Sequence, residues 1–568
     1  MARPVRELLI AAGLGLLVAC AYLPSLANGF IYDDHEVIEV QARPTRAADL
    51  LRVFAEPHFR GLPYYRPVVR ASLLAQKGLH GDAPALFHLG NALMAGAAAV
   101  AAYVLLRAPT LRIAAPFAFL AAAIFAVHPV ASSAVHPIAS GRETLMPALW
   151  VLAAAAAWLR ARRGIALACF ALALGSKEQA AVLPFLFVLA DGLALPPDAP
   201  PLQLRAAGRW AARYAGVVAV ALGYIAVRRL VLGSAAVAWA GDPVAPLWSL
   251  LFGLQVALAP FATLHYEPEL GVWLSATRVA LAVAVLAALL ATARSTGAPS
   301  VRAAAFWAGW FVVTQLPTAN VFRQEAPFDE RYAFLALLAF PAMAAASATA
   351  FATSPLRLRM VSAAGAALVF SLAVLTVRRA PTFRDDAAFA TQWLRSNPAS
   401  PEAHHLLAVR EMQAGRIDEA VSQYRAALAG AADSPDLHVN LAVALAESGH
   451  AEQAIAELER ALALDPGHPE AHATLGTLLA RSGRLEEAVV HHREAVRAAP
   501  RMASAHDNLG SALARLGRYA EAEAELREAL RLEPGSSDAA HNLALVLRAT
   551  GRSAEADALL GERGVNAP

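Results

Sequence analysis

The chain has 568 residues, 58% of them hydrophobic, a mean hydropathy of +0.45 and a formal net charge of +3. Its arginines stand singly or in short clusters beside apolar stretches, not in a run that could track a phosphate backbone, which excludes nucleic acid as a partner. The two cysteines, Cys20 and Cys169, both lie inside apolar segments, so neither a disulfide framework nor a cysteine metal site is predicted.

Composition divides the chain near residue 380 into a membrane part, 1–380, and a part of soluble character, 381–568. A bilayer-crossing helix needs about 17 to 25 apolar residues. Candidates in chain order fall near 8–26, 86–106, 114–134, 144–159, 214–233, 276–293, 303–320, 332–350 and 362–377. Between the fourth and fifth, segments 165–175 and 179–192 are each too short to cross and meet at the polar Ser176-Lys177-Glu178, as in a broken helix that lines a cavity. The expected total is about eleven spans, with 246–264 re-entrant or interfacial. Arginines near the start and in alternate connections predict a cytoplasmic N-terminus. An odd count then puts the first loop, 27–85, and the C-terminal part on the exterior side.

From residue 381 onward the sequence repeats. Gly415, Gly449, Gly483, Gly517 and Gly551 recur at an interval of 34, as do Leu407, Leu441, Leu475, Leu509 and Leu543, and Ala420, Ala454, Ala488 and Ala522. That is the tetratricopeptide period, with glycine closing the first helix and alanine where two helices pack closely. The predicted fold class is all-α: a polytopic helical membrane domain followed by an α-solenoid. Asn440, Asn508 and Asn542 share one position of the first helix and are candidates for binding an acceptor polypeptide backbone; asparagine is also simply frequent there.

Ionisable residues at membrane depth are costly and usually face a cavity or pathway. The first loop carries Asp33-Asp34 and Arg66. Later come His128, His136, Arg142-Glu143, Lys177-Glu178 and Glu330-Arg331, all converging on the exterior side in the expected topology. Adjacent carboxylates at a membrane surface suit a general base, because burial and mutual repulsion raise one pKa. The cations could stabilise a phosphate; equally, Arg142 with Glu143 and Lys177 with Glu178 could be ion pairs at helix ends. No spacing reads as a dedicated metal site.

Tyr32-Asp33-Asp34, Tyr65-Arg66-Pro67, His128-Pro129-Val130 with Gly141-Arg142-Glu143, Ser176-Lys177-Glu178, Leu316-Pro317-Thr318-Ala319-Asn320 and Glu330-Arg331-Tyr332 occur in this order before the repeats. This ordered set resembles the transmembrane and tetratricopeptide-repeat-containing proteins, which are related to protein O-mannosyltransferases and share the GT-C glycosyltransferase fold. The chain departs from the family pattern at Ser132-Ser133, where a glutamate usually precedes Ala134-Val135. The resemblance implies inverting transfer of a mannose-like sugar from a polyprenyl-phosphate-linked donor to a serine or threonine hydroxyl of an acceptor protein. Asp33 or Asp34 is then the candidate base, Arg142, Lys177 and Arg331 the donor-phosphate ligands with Arg66 behind them, and His128, His136, Glu143, Glu178 and Glu330 candidate pocket residues.

No cofactor is called for beyond the lipid-linked sugar as donor substrate; a requirement for a divalent metal stays open. Alternatives are a non-catalytic membrane-anchored scaffold and a lipid-sugar transporter. The alanine, arginine and proline bias points to a bacterial inner membrane with periplasmic repeats, the counterpart in a eukaryote being the endoplasmic reticulum.

Overall fold

The computed structural model describes residues 3–31, 34–39, 44, 47–56, 64–193, 195–199, 207–232, 245–258, 298–316 and 330–562, and among the described residues there is no strand. The chain forms two compact units, Met1–Pro398 and Ala399–Pro568. The compositional change near residue 380 therefore precedes the structural boundary. The intervening helix Asp386–Ser396 is capped by the Asp385 carboxylate, which accepts from the Ala388 N–H at 2.9 Å, and it belongs to the first unit.

The principal helices of the first unit are α1 (Arg3–Tyr22), α2 (Pro67–His80), α3 (Pro84–Leu106), α4 (Ala115–Val127), α5 (Pro129–Val135), α6 (Ala139–Trp158), α7 (Arg163–Ser176), α8 (Leu183–Gly192), α9 (Ala207–Leu232), α10 (Ala298–Gln315), α11 (Ala339–Phe351), α12 (Pro355–Arg379) and α13 (Asp386–Ser396). Proline stands in the first turn of α2, α3, α4, α5, α8 and α12, where its missing N–H costs nothing. Helix α3 is central and packs on α1, α4 and α6. Ala95, Ala98, Ala99 and Ala102 are buried along it, and small side chains of this kind let helix backbones approach closely. By contrast α9 and α12 turn apolar side chains outward, including Leu222, Leu230, Met360 and Phe370.

The described residues hold four helices long and apolar enough to cross a membrane, Leu9–Ala27, Pro84–Leu106, Ala207–Leu232 and Pro355–Phe383. A fifth span results if α4 and α5, bent by 58° at their junction, act as one. This corrects the expectation of about eleven spans. Helices α7, α8 and α11 have 14, 10 and 13 residues, short of the roughly 20 a bilayer requires. Helices α6 and α10 are longer but carry Arg142, Glu143 and Thr144, and Arg302, Thr314 and Gln315. Segment 276–293 lies outside the described residues, as does 246–264 beyond residue 258.

Opposite charges staple one end of this unit. Asp191, buried at the end of α8, accepts from Trp158 Nε1 at 3.1 Å, Arg213 Nε at 2.6 Å and Tyr214 Oη at 2.8 Å, tying α6, α8 and α9 together.

The second unit is a series of helical hairpins: Pro401–Gln413 with Ile417–Gly430, Pro435–Glu447 with Ala451–Leu464, Pro469–Arg481 with Leu485–Ala498, Ala503–Arg515 with Tyr519–Leu532, and Ser537–Ala549 with Ser553–Glu562. Local sequence accounts for each feature. Ser400, Ser434, His468 and Ser536 cap the first helices by accepting a backbone N–H. The five periodic glycines end those helices with φ between +73° and +82°, a left-handed conformation that glycine adopts without strain. Ala420, Ala454, Ala488 and Ala522 are fully buried between the paired helices.

Candidate functional site

Arg66 is the hub of a buried charge cluster. It precedes Pro67 at the start of α2, and its guanidinium donates to Glu143 Oε2 at 2.5 Å and to both Glu178 oxygens at 3.3 Å. Glu143 lies in the first turns of α6, and Glu178 follows the break after α7. Lys177, nine-tenths buried at that break, sits 4.0 Å from Glu143 Oε2 and 6.0 Å from the Tyr332 ring centre. The polar interruption between two short helices thus places one buried cation and one partly exposed carboxylate beside Arg66.

A small cavity of about 40 Å³ adjoins the cluster, lined among others by Glu143, Thr144, Lys177, Gln179, Arg331 and Tyr332. With Thr314 of α10 also in the lining, four separate chain segments meet there. Among the described residues, three cations, Arg66, Lys177 and Arg331, and two carboxylates, Glu143 and Glu178, stand in or beside its lining.

Arg142 stands apart from this cavity. Its guanidinium is buried and donates to Asn91 Oδ1 at 2.8 Å, Ser72 Oγ at 3.2 Å, Gln76 Oε1 and the Phe87 carbonyl. These neutral acceptors on α2 and α3 hold it one turn below the start of α6. Asp34 reaches that same helix start: its Oδ1 accepts from the Ala139 N–H at 2.6 Å and its Oδ2 from the Ile31 and Ile138 N–H groups at 3.1 and 3.3 Å. Burial raises its pKa to about 6, and the three backbone donors only partly offset this. Both Asp34 oxygens are thus occupied in capping α6. Asp33, like Tyr32, Pro317-Thr318-Ala319-Asn320 and Asp329, lies outside the described residues.

The remaining predicted residues form a third group. Glu330 pairs with Arg379, which also donates to the Pro129 carbonyl at 2.7 Å. His128 caps α5 by accepting from the Val130 N–H at 3.2 Å. His136 is buried, stacked on Phe383 with centroids 5.0 Å apart. The single convergent site expected from sequence is therefore resolved into three neighbourhoods among the described residues, and the Arg66–Lys177–Arg331 group adjoins the cavity.

In the repeats, Asn440, Asn508 and Asn542 are all half-buried. Asn542 Nδ2 donates to Asp507 Oδ1 at 2.8 Å, and Asn440 Nδ2 lies 3.4 Å from His405 Nε2, each reaching back 35 residues into the preceding repeat. For these two, the amide donors serve repeat-to-repeat contacts.

Sequence reading missed a second periodic position. His404, His438, His472 and His506 recur at the interval of 34, and each places Nδ1 against the residue 19 further on: Gln423 at 2.8 Å, Glu457 at 2.7 Å, His491 at 3.0 Å and Glu525 at 2.6 Å. The signal lay in the same register as the glycines. Arg379, the partner of Glu330, carried no such signal, because only the fold brings it there.

Comparison with known proteins bears on the second unit. Models of the tetratricopeptide repeat match residues 411–476, 445–516 and 503–536. Among solved structures, similar chains include the MamA protein (19% identity over 29% of this chain and 89% of that one, TM-score 0.26) and Pseudomonas aeruginosa pilF (25%, 29% and 78%, TM-score 0.28). A third is YrrB, a tetratricopeptide protein described as having an unusual peptide-binding site (19%, 31% and 91%, TM-score 0.27). No curated protein matches the chain. The C-terminal region is a tetratricopeptide-repeat solenoid, an architecture that suits it to protein interaction, and it follows a helical unit with a few helices able to cross a membrane.

Proposed function

We propose that the chain is a membrane glycosyltransferase that moves a sugar from a polyprenyl-phosphate carrier to a hydroxyl of a polypeptide recruited by the repeats. The observation that carries this reading is the cavity bounded by Lys177, Arg331 and Tyr332 beside the Arg66–Glu143–Glu178 cluster. The cations on its wall suit an anionic group. The donor phosphate would enter beside Lys177 and Arg331.

In the reaction, the acceptor oxygen attacks the anomeric carbon as the carbon–phosphate-oxygen bond breaks, inverting that centre. The departing phosphate needs no proton if Lys177 and Arg331 stabilise its charge. Arg66 keeps Glu143 and Glu178 neutralised, which prevents them from repelling the phosphate. The acceptor proton must go to a base. Asp34 is engaged in capping α6, so its sequence neighbour Asp33 is the better candidate, with Asp34 fixing the chain beside it.

The test is transfer from a polyprenyl-phosphate sugar to a peptide by purified protein, comparing wild type with Asp33→Asn and Lys177→Met at equal folded amounts. Loss of transfer in Asp33→Asn with donor binding retained, and of donor binding in Lys177→Met, is expected. Unchanged transfer in both would overturn the assignment.

A second reading is a membrane-anchored interaction scaffold without catalysis, favoured by the repeat matches over residues 411–536. Absence of transfer with every donor, together with peptide binding that persists on the repeats, would select it.

A further inference from the structure

The third repeat differs from its neighbours at the periodic histidine. In the second and fourth repeats Nδ1 of His438 and His506 faces a carboxylate, and in the first Nδ1 of His404 faces the Gln423 amide oxygen; in each case the ring nitrogen must donate. At His472 the facing atom is another imidazole nitrogen, Nδ1 of His491, 3.0 Å away. The far nitrogen, Nε2 of His472, lies 3.1 Å from the Pro466 carbonyl and donates to it. That bond places the proton of a neutral His472 on Nε2, so its Nδ1 lone pair faces the His491 Nδ1–H, a proton that a bound cation would displace. A ring with one nitrogen donating to a carbonyl and the other presenting a lone pair is the arrangement found behind metal-binding histidines.

We infer that His472 and His491 form a binding site for one borderline divalent transition metal, of the copper(II), nickel(II) or zinc(II) class, bridging the two helices of the third repeat. Two nitrogens bound to one ion at about 2.05 Å stand roughly 2.9 Å apart at a right angle and about 3.3 Å apart in a tetrahedron. The observed 3.0 Å lies within this interval. His491 is half-exposed, which gives an ion a path in.

Two imidazoles are an incomplete set, and among the described residues no group of three side chains stands ready to hold an ion. Glu487 and Glu494 lie one turn to either side of His491 on the same helix and are the nearest candidates for a further ligand, with solvent filling the rest. Their present partners are Arg484 and Arg497, in exposed pairs of little energetic weight.

Copper(II) is the probe, added to tag-free, chelator-stripped full-length protein in detergent. His491→Gln is the informative variant, because it recreates the His404–Gln423 pairing and so keeps the hairpin bond while removing a ligand. Thermal unfolding checks its fold, and His506→Gln in the fourth repeat serves as the control. Expected are one tightly bound copper per chain with two imidazole nitrogens in its electron spin echo spectrum, unaffected in His506→Gln. In His491→Gln the affinity should fall by at least roughly tenfold, with one imidazole remaining. Copper binding by His491→Gln equal to wild type, or no stoichiometric uptake by wild type, would overturn the site.

Discussion

Arg66 donates to Glu143 across 2.5 Å while its other edge is shared by both oxygens of Glu178, so one guanidinium serves a buried carboxylate and a second, partly exposed one. Removing it leaves the buried Glu143 with Lys177, 4.0 Å away. Arg66→Met should destabilise the first unit by about 3–5 kcal/mol, the usual cost of an uncompensated buried charge. Arg66→Met combined with Glu143→Gln should recover part of that loss, because one stranded charge has gone. Thermal unfolding in detergent with the double-mutant cycle measures the recovery, and strictly additive effects would contradict a direct coupling.

Asp34 gives a pH dependence of defined sign. Burial lifts its pKa from 3.8 to about 6, so between these values the folded state holds a proton that the unfolded state has released. The group's favourable contribution is complete below its unfolded value and is lost as pH rises to about 6, amounting to about 3 kcal/mol for a shift of this size. Stability followed from pH 4 to pH 7 should therefore carry a falling component that Asp34→Asn removes. The variant should also lose about 1–3 kcal/mol at every pH, since an amide nitrogen would meet one of the three backbone donors.

The repeats were legible in the sequence because each hairpin needs the same glycine, alanine and proline at the same places, and covalent periodicity exposes that need directly. Ser176-Lys177-Glu178 was legible as a break for a related reason: three polar residues between apolar runs cannot lie in hydrocarbon without interior partners. The span count was not. Hydropathy registers that 332–350 is apolar, yet apolar residues also fill the interior of a helical bundle, and only length in the fold separates α11, with 13 residues, from a crossing helix. The surroundings of Arg142 were hidden too. A search for opposite charge overlooks Ser72 and Gln76, neutral residues whose oxygens become ligands only once α2 lies against α6.

Asp191 provides a prediction free of any functional reading. Its buried carboxylate receives donors from Trp158, Arg213 and Tyr214. Asp191→Ala leaves Trp158 and Tyr214 without their acceptor and Arg213 with Asp198 alone, 3.0 Å away, and should cost about 3–5 kcal/mol. Arg213→Met added to it should restore part of that loss, since the cation that has lost its buried partner is then gone. Failure of the second change to restore any would mean that packing by α8, and not charge, dominates there.

His492 occupies a position that the other repeats fill with Tyr424, Leu458 and Leu526, all buried. It is itself 2% exposed, its Nδ1 has no hydrogen-bond partner, and its ring presses on Gly476, where an added Cβ would lie 2.6 Å from Cε1. Burial chiefly, helped by neighbouring His491, depresses its pKa from 6.5 to about 4. The folded state thus keeps the ring neutral where the unfolded chain would protonate it. Its contribution is present in full above pH 6.5 and is lost as pH falls toward 4, by about 2–3 kcal/mol. His492→Leu adopts the solution of the second and fourth repeats, and Leu526 packs against Gly510 in the same way, an added Cβ there lying 2.6 Å from Leu526 Cγ. The variant should match or exceed wild-type stability at pH 7.5 and exceed it clearly at pH 4.5. Hydrogen exchange of backbone amides in 485–498, measured at both pH values and corrected for intrinsic rate, reads the difference. Equal protection of the two proteins at pH 4.5 would mean that the ring finds a proton acceptor in the fold, and that its burial is not the source of acid sensitivity.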